Sequence, residues 1–256
     1  MNEDKLINYY NKFNEDKRFN SRHGQVEFQT TLFYINKYLK KDDKIIEIGA
    51  GTGKYAGYLA NHYDVTAVEL VKHNLRLIEK NYPNVLAYQG NATDLSSFND
   101  NTFDITLLFG PMYHLLTEKE KIKALSEAKR ITKKNGLIMV AYVMNEYAVI
   151  KHGFMEHNII NAIKEKRIDN DFNITKADDG LYSMIRLEDI DKLNKKLNLK
   201  RVTIFTPDGP ANYIRSELNK MSDEEYNIFL KYILSISERK DILGASAHIV
   251  DVLKKV

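Results

Sequence analysis

The chain has 256 residues, 43% hydrophobic and 29% charged, enough for one sizeable core or a core with a smaller cap. Its 38 Lys and Arg are spread along the chain against 35 Asp and Glu, so a net charge of +3 singles out no partner and leaves nucleic acid without a basic stripe to bind. The absence of cysteine excludes a disulfide framework, a thiolate metal site and a cysteine nucleophile. No stretch reaches the ~18 uninterrupted apolar residues of a membrane span, and the N-terminus lacks an apolar leader, so a cytoplasmic protein is expected.

Residues 2 to 19 read as a helix with unevenly placed apolar side chains, and residues 25 to 40 as a better packed one, with Val26, Thr30, Phe33, Ile35 and Leu39 near a 3.6-residue period. From Lys44 short apolar runs alternate with longer amphipathic segments. Strands are predicted at 44–48, 65–69, 85–89, 103–109 and 136–143, with helices at 53–62, 71–81 and 117–133. The last helix is expected to end in the basic turn Lys133-Lys134-Asn135 before a Gly136 stop. This rhythm predicts a parallel sheet with helices on both faces. It breaks over 145–180, which reads as helix and then loop, before a helix at 187–197. Two further strands are drawn at 201–206 and 247–254 around a Tyr-rich helical stretch.

The first strand runs directly into glycines at 49, 51 and 53. A glycine-rich strand-to-helix turn removes Cβ where a ligand touches backbone and aims helix amides at it. Its spacing is not the dinucleotide fingerprint, because Lys54 stands where GxGxxG asks for a third glycine. Glu69 ends the next strand twenty residues after Gly49, where an acidic side chain accepts from both hydroxyls of an unphosphorylated ribose. Together these residues point to an adenosine cofactor.

The segments EIGAGTGKYAGYLA, VTAVEL, GNATDLSSFNDNTFDITLLFGPMYHLL and EAKRITKKNGLIMVAYV resemble the class I S-adenosylmethionine-dependent methyltransferases. VEFQTT, FGPMYHL and LGASAH resemble a small bacterial subset with a GPxYHL motif after the fourth strand. The resemblance implies an α/β three-layer sandwich around a seven-stranded, mostly parallel, doubly wound Rossmann-like sheet. It places an N-terminal helical lid at 1–40, the core at 41–145 and 186–256, and a helical cap or substrate region at 146–185 with 207–240. It implies S-adenosylmethionine as cofactor, with Gly49, Ala50 and Gly51 along its methionine part and Glu47 supporting the turn. Glu69 would take the ribose, Leu70 would pack on the adenine, and Asn91 with Ala92 would face the adenine edge. The lid would bring Tyr10, Arg22 and His23 over the cofactor.

Methyl transfer from a sulfonium is an in-line displacement, so alignment and exclusion of water matter most, and a base is needed only for a protonated acceptor. FGPMYHLL follows the fourth strand, at the carboxyl edge where an open α/β sheet holds its reaction centre, which makes Tyr113 and His114 the catalytic candidates, His114 as base. Tyr142 is a weaker candidate to line the same cavity. Arg186 and Arg215 could meet an anionic substrate. His152 and Glu156, four residues apart, offer two ligands on one helical face, but nothing completes a set, and no metal is expected. The expected acceptor is a small molecule and the assembly a monomer or homodimer, with an RNA or protein acceptor, or a non-catalytic cofactor-binding module, as the alternatives.

Overall fold

In the computed structural model the described residues are 3–11, 19–177 and 180–256. The strands are β1 (Lys44–Ile48), β2 (Asp64–Glu69), β3 (Leu86–Gln89), β4 (Phe103–Leu108), β5 (Thr132–Val143), β6 (Leu199–Phe205) and β7 (His248–Lys255). They form one sheet in the order β3, β2, β1, β4, β5, β7, β6. The pairs from β3 across to β5 are parallel, and β7 lies antiparallel between β5 and β6. The helices are α1 (Glu3–Tyr10), α2 (Arg22–Tyr38), α3 (Lys54–Leu59), α4 (Lys72–Asn81), α5 (Glu118–Ile131), α6 (Asn145–Ala148), α7 (Ile159–Lys164), α8 (Leu187–Lys196), α9 (Arg215–Leu218), α10 (Asp223–Ile236) and α11 (Lys240–Leu243). A stretch of π-helix, Val149–Met155, continues α6.

Both faces of the sheet are covered, which is why its central strands read as unbroken apolar runs. Alternate residues of each strand divide between two cores. Ile45, Ile105, Leu107, Met139, Val250 and Val252 pack with Ile35 of α2, Ala56 and Leu59 of α3 and Ile78 of α4. Ile46, Ile48, Leu108, Ile138, Val140 and Ile249 pack with Ala124, Leu125 and Ala128 of α5 and Ile190 and Leu193 of α8. The expected doubly wound three-layer sandwich is therefore present. Residues 207–240 and 145–177 have separate small cores. Val26 of α2 gathers Ala211, Leu218 and Ile233, whereas Val149 gathers Ala162 and Ile168.

Several boundaries follow from capping chemistry that hydrophobic periodicity does not register. Helix α2 begins three residues before its expected start because Ser21 is its N-cap, its hydroxyl accepting from the amide of Gly24. Thr117 and Glu120 form a reciprocal capping box that starts α5. The basic turn read as the end of that helix belongs to β5 instead. Thr132 already pairs with Phe103, its hydroxyl lies 2.7 Å from that of Thr106, and Asn135 takes a left-handed φ of 66° at an irregularity in the β4–β5 register. Of the expected N-terminal helix, residues 3–10 form α1, and residues 12–18 lie outside the described residues.

Candidate active site

All three glycines after β1 are left-handed, with φ of 71°, 56° and 81° at Gly49, Gly51 and Gly53. Close packing leaves no room for a side chain at two of them, against the turn after β4 at Gly49 and against α4 at Gly53. A Cβ on Gly49 would stand 2.6 Å from Cδ of Pro111, and one on Gly53 would stand 2.9 Å from Cγ1 of Ile78. Gly110 answers Gly49 across the gap, since a Cβ there would meet the Gly49 carbonyl at 2.7 Å. The turns after β1 and β4 are thus locked together, and their outer surface forms one wall of a cavity at the carboxyl edge of the sheet.

Two acidic side chains fix that wall. Buried Glu47 accepts from the amide of Ala56 at 2.8 Å, tying the end of β1 to the start of α3. Glu69 accepts from the amides of Gly51 and Val71, each at 2.8 Å, so its carboxylate is held between the glycine turn and the N-terminus of α4. Both line the cavity with Gly49, Ala50, Gly51, Leu70, Asn91 and Ala92, so the structure brings together all eight core residues expected to bind the cofactor. Asn91 is also engaged within the protein. Its Oδ1 accepts from the amide and hydroxyl of Thr93 at 2.9 and 3.0 Å, and its Nδ2 donates to Glu3 of α1 at 2.6 Å.

Helix α1 contributes Leu6 and Tyr10 to the same cavity. The Tyr10 hydroxyl lies 2.7 Å from Nε2 of His114, and the other ring nitrogen, Nδ1, lies 2.9 Å from the Leu181 carbonyl. A carbonyl only accepts, so Nδ1 carries the proton and Nε2 accepts from Tyr10. His114 is 5% exposed and lines the first cavity, while Tyr113 stacks on Tyr182 at 6.0 Å between centroids. Burial pushes the Tyr182 hydroxyl well above the usual phenol range.

Arg22 and His23 do not line this cavity. The Arg22 guanidinium donates to Asp223 at 2.8 Å and lies 4.9 Å from the Tyr226 ring centroid, so it fastens α2 to α10. His23 sits one residue further along the first turn of α2, with Nε2 3.4 Å from Ser21 Oγ. Tyr142 is corrected as well. It is 1% exposed and belongs to the core between the sheet and α8.

A second cavity, of about 580 Å³, opens beyond the first. Tyr147, Tyr182, Lys151, Arg167, Lys176 and Arg215 are in its lining, with Glu156 among them. Tyr10, Tyr113 and His248 line both cavities. Of the two expected anion-binding arginines, Arg215 reaches this wall, whereas Arg186 is bonded to Glu146 at 2.7 Å and to the Asp171 carbonyl. His152 and Glu156 pair at 2.9 Å, both partly exposed at the wall of this second cavity. Among the described residues, Glu27, Asp208 and His248 place one ligand atom each within 4.8 Å of one another, a convergence of three distant segments that no local motif marks.

Residues 46–140 match a family model described as a methyltransferase domain. The ribosomal protein L11 methyltransferase of Thermotoga neapolitana is 29% identical over 126 residues, 46% of this chain and 43% of that protein. That of Thermotoga petrophila is 26% identical over 148 residues, so this chain spans about half the length of the curated relatives it matches. Among solved structures, a possible histamine N-methyltransferase of Thermotoga maritima, described as SAM-dependent, superposes with a TM-score of 0.61 at 20% identity, over 97% of this chain and 98% of that one. A SAM-dependent methyltransferase of Methanosarcina mazei gives a TM-score of 0.60 at 15% identity, over 87% and 97%. At such identities the structural likeness speaks for the fold. Among the described residues, no helix is long and apolar enough to cross a membrane.

Proposed function

From the premise that residues 46–140 are a methyltransferase domain, we infer that the chain is an S-adenosylmethionine-dependent methyltransferase acting on a small molecule. The observation that carries the acceptor reading is the pair of cavities meeting at Tyr10, Tyr113 and His248. A donor in one and an acceptor in the other would face each other across that shared wall.

The first cavity fits the cofactor. Its wall holds a carboxylate, Glu69, pinned by two amides where a ribose diol would need an acceptor, beside apolar Leu70 and Ala92 for a purine. When bound, S-adenosylmethionine supplies an electrophilic methyl on a cationic sulfur. Helix α1, through Leu6, Tyr10 and the Glu3–Asn91 bond, acts as a lid that keeps water out. The second cavity suits a small acceptor, and its four cationic side chains against Glu156 favour one that carries an acid group.

Titration with S-adenosylhomocysteine tests the cofactor half. Glu69→Gln is expected to weaken binding at least about tenfold, the worth of one charge-assisted hydrogen bond at ~1.5–3 kcal/mol. Incubation with methyl-labelled cofactor and extract tests the acceptor half. Label in the small-molecule fraction supports the reading, and label confined to protein moves the acceptor class towards that named for the curated relatives.

A further inference from the structure

The two arginines that line the second cavity differ in what they meet. Arg167 donates to Glu165 at 2.8 Å, and in the same wall Lys151 pairs with Glu156 at 3.3 Å. Arg22, Arg130, Arg186, Arg201 and Arg239 elsewhere in the chain each meet a carboxylate too. Arg215, on α9, meets an amide instead. Its Nε and Nη2 both donate to Oδ1 of Asn212, at 3.0 and 2.5 Å, and among the described residues no carboxylate pairs with it.

Asn212 is buried, and its Nδ2 donates at 2.6 Å to Oδ2 of Asp208, itself completely buried. A carboxylate only accepts, so the amide must turn its nitrogen to Asp208 and its oxygen to Arg215. Asp208 is fixed in turn by the Thr206 hydroxyl at 3.1 Å and the His248 amide at 3.3 Å. Buried polar groups thus orient the guanidinium before any ligand arrives, which lowers the cost of ordering it on binding. Asn212 occupies one edge of the group. Both hydrogens of Nη1 and one of Nη2 are left over, an end-on fork whose spacing matches the two coplanar oxygens of a carboxylate.

Tyrosines supply much of the remaining wall. Tyr147 and Tyr182 line the second cavity alone, whereas Tyr10 and Tyr113 line both. Burial raises the Tyr147 hydroxyl, and Arg215 beside it draws it partly back. Aromatic side chains favour a ligand whose body is itself a ring, packed face to face with an offset or edge to face. Arg215 lines the second cavity and not the first, so a carboxylate held there stands off from the cofactor, and a different atom of the acceptor reaches the shared wall.

Resting on the methyltransferase reading above, we propose that Arg215 determines acceptor specificity by binding the carboxylate of a small aromatic acid, a carboxylate that passes unmethylated into the product. Lys176 lines the same cavity, and its charge adds to the field that draws the acid in. A phosphate monoester, with three oxygens and up to two charges, calls for more donors than one fork provides.

The experiment follows transfer of label from methyl-labelled S-adenosylmethionine into the small-molecule fraction of a cell extract. Phenylacetate is expected to inhibit labelling by the wild type at least about tenfold more effectively than phenylacetamide, its neutral isostere, the worth of one charge-assisted pair. Arg215→Gln should bind S-adenosylhomocysteine as the wild type does and lose that preference. It should also need at least about tenfold more of the acceptor fraction for half-maximal labelling, with the rate at saturation kept within a few-fold, because an interaction made equally before and during transfer acts on KM. Arg215→Lys, which keeps the charge without the fork, should fall between the two. Equal inhibition by acid and amide overturns the proposal, and so does an Arg215→Gln enzyme that saturates with the same amount of acceptor as the wild type. Stronger inhibition by phenyl phosphate than by phenylacetate overturns it in favour of a phosphate ligand. Labelled methanol released from the product by alkali marks a methyl ester, which overturns it as well, since the carboxylate would then be the acceptor. A wild type that binds S-adenosylhomocysteine but labels no fraction, or protein alone, overturns the small-molecule enzyme reading and the proposal with it.

Discussion

Gly49→Ala isolates the contact that locks the two loops of the cofactor cavity together. The new Cβ would meet Pro111 Cδ at 2.6 Å and Cγ at 2.8 Å, about 1 Å inside the ~3.5–4.0 Å of ordinary carbon contact. Pro111 has little room to retreat, because its carbonyl accepts from the amides of His114 and Leu115 at 2.9 and 3.1 Å. The left-handed φ of 71° adds roughly 1–2 kcal/mol for any residue with a Cβ, and overpacking adds about 1–3 kcal/mol. A loss of ~2–5 kcal/mol is expected, which for a chain of this size lowers the thermal midpoint by roughly 5–15 °C. The decisive measurement is a double-mutant cycle with Pro111→Ala, which removes the carbons in the way but leaves the backbone strain. The pair should be coupled by about 1–3 kcal/mol, with Gly49→Ala costing only the strain in the Pro111→Ala background. Additive losses, or a Gly49→Ala protein that melts with the wild type, would refute the packing account and return the missing side chain to the ligand.

Two further outcomes concern stability. Asp251 is fully buried on β7, where Arg201 clasps it with two bonds of 2.7 and 2.8 Å and Asn194 adds a third at 2.7 Å. Arg201→Met strands that carboxylate, and urea unfolding should report a loss of roughly 3–5 kcal/mol, far above a surface ion pair. Lys121 is buried on α5, bonded to Leu115 O and Ser183 Oγ, and burial pushes its ammonium down to about 8. Below that pH both folded and unfolded chains carry the proton; between about 8 and 10.4 the unfolded chain binds more, so this residue makes stability rise with pH by up to roughly 3 kcal/mol. Lys121→Met should abolish that rise, measured as the difference between the two proteins from pH 8 to 10.5.

The sheet was legible because each strand carries its own signal. Burial on both faces demands short apolar runs such as KIIEI and FDITLL, and every one of the seven strands lies within a few residues of its expected place. The misread ends have particular causes. Lys133 and Lys134 look like a helix C-terminus, yet Thr132 is already in the β ladder, and Lys133 reaches Asp104 at 2.7 Å across β4. Side-chain capping by Ser21 is local but leaves no mark on hydrophobic periodicity, and the strand order that places β7 antiparallel between β5 and β6 is set by partners far apart in the chain.

The two cavities differ in the same way. Gly49, Gly51, Glu69 and Asn91 sit at or just beyond the ends of successive parallel strands, so one stretch of sequence lays out one side of the cavity, and a regular rhythm suffices to find it. The second cavity is assembled from α1, the turn after β4, the π-helix, α7, the segments 167–177 and 182–184, α9 and the start of β7, none of which share a local pattern. Asp208 and His248 are forty residues apart and become neighbours only because β6 and β7 pair antiparallel and end together at the carboxyl edge. No local motif marks either residue, whereas Tyr113 and His114 lie within the FGPMYHL segment after the fourth strand. His114 spends both nitrogens holding α1 and the Leu181 loop in place.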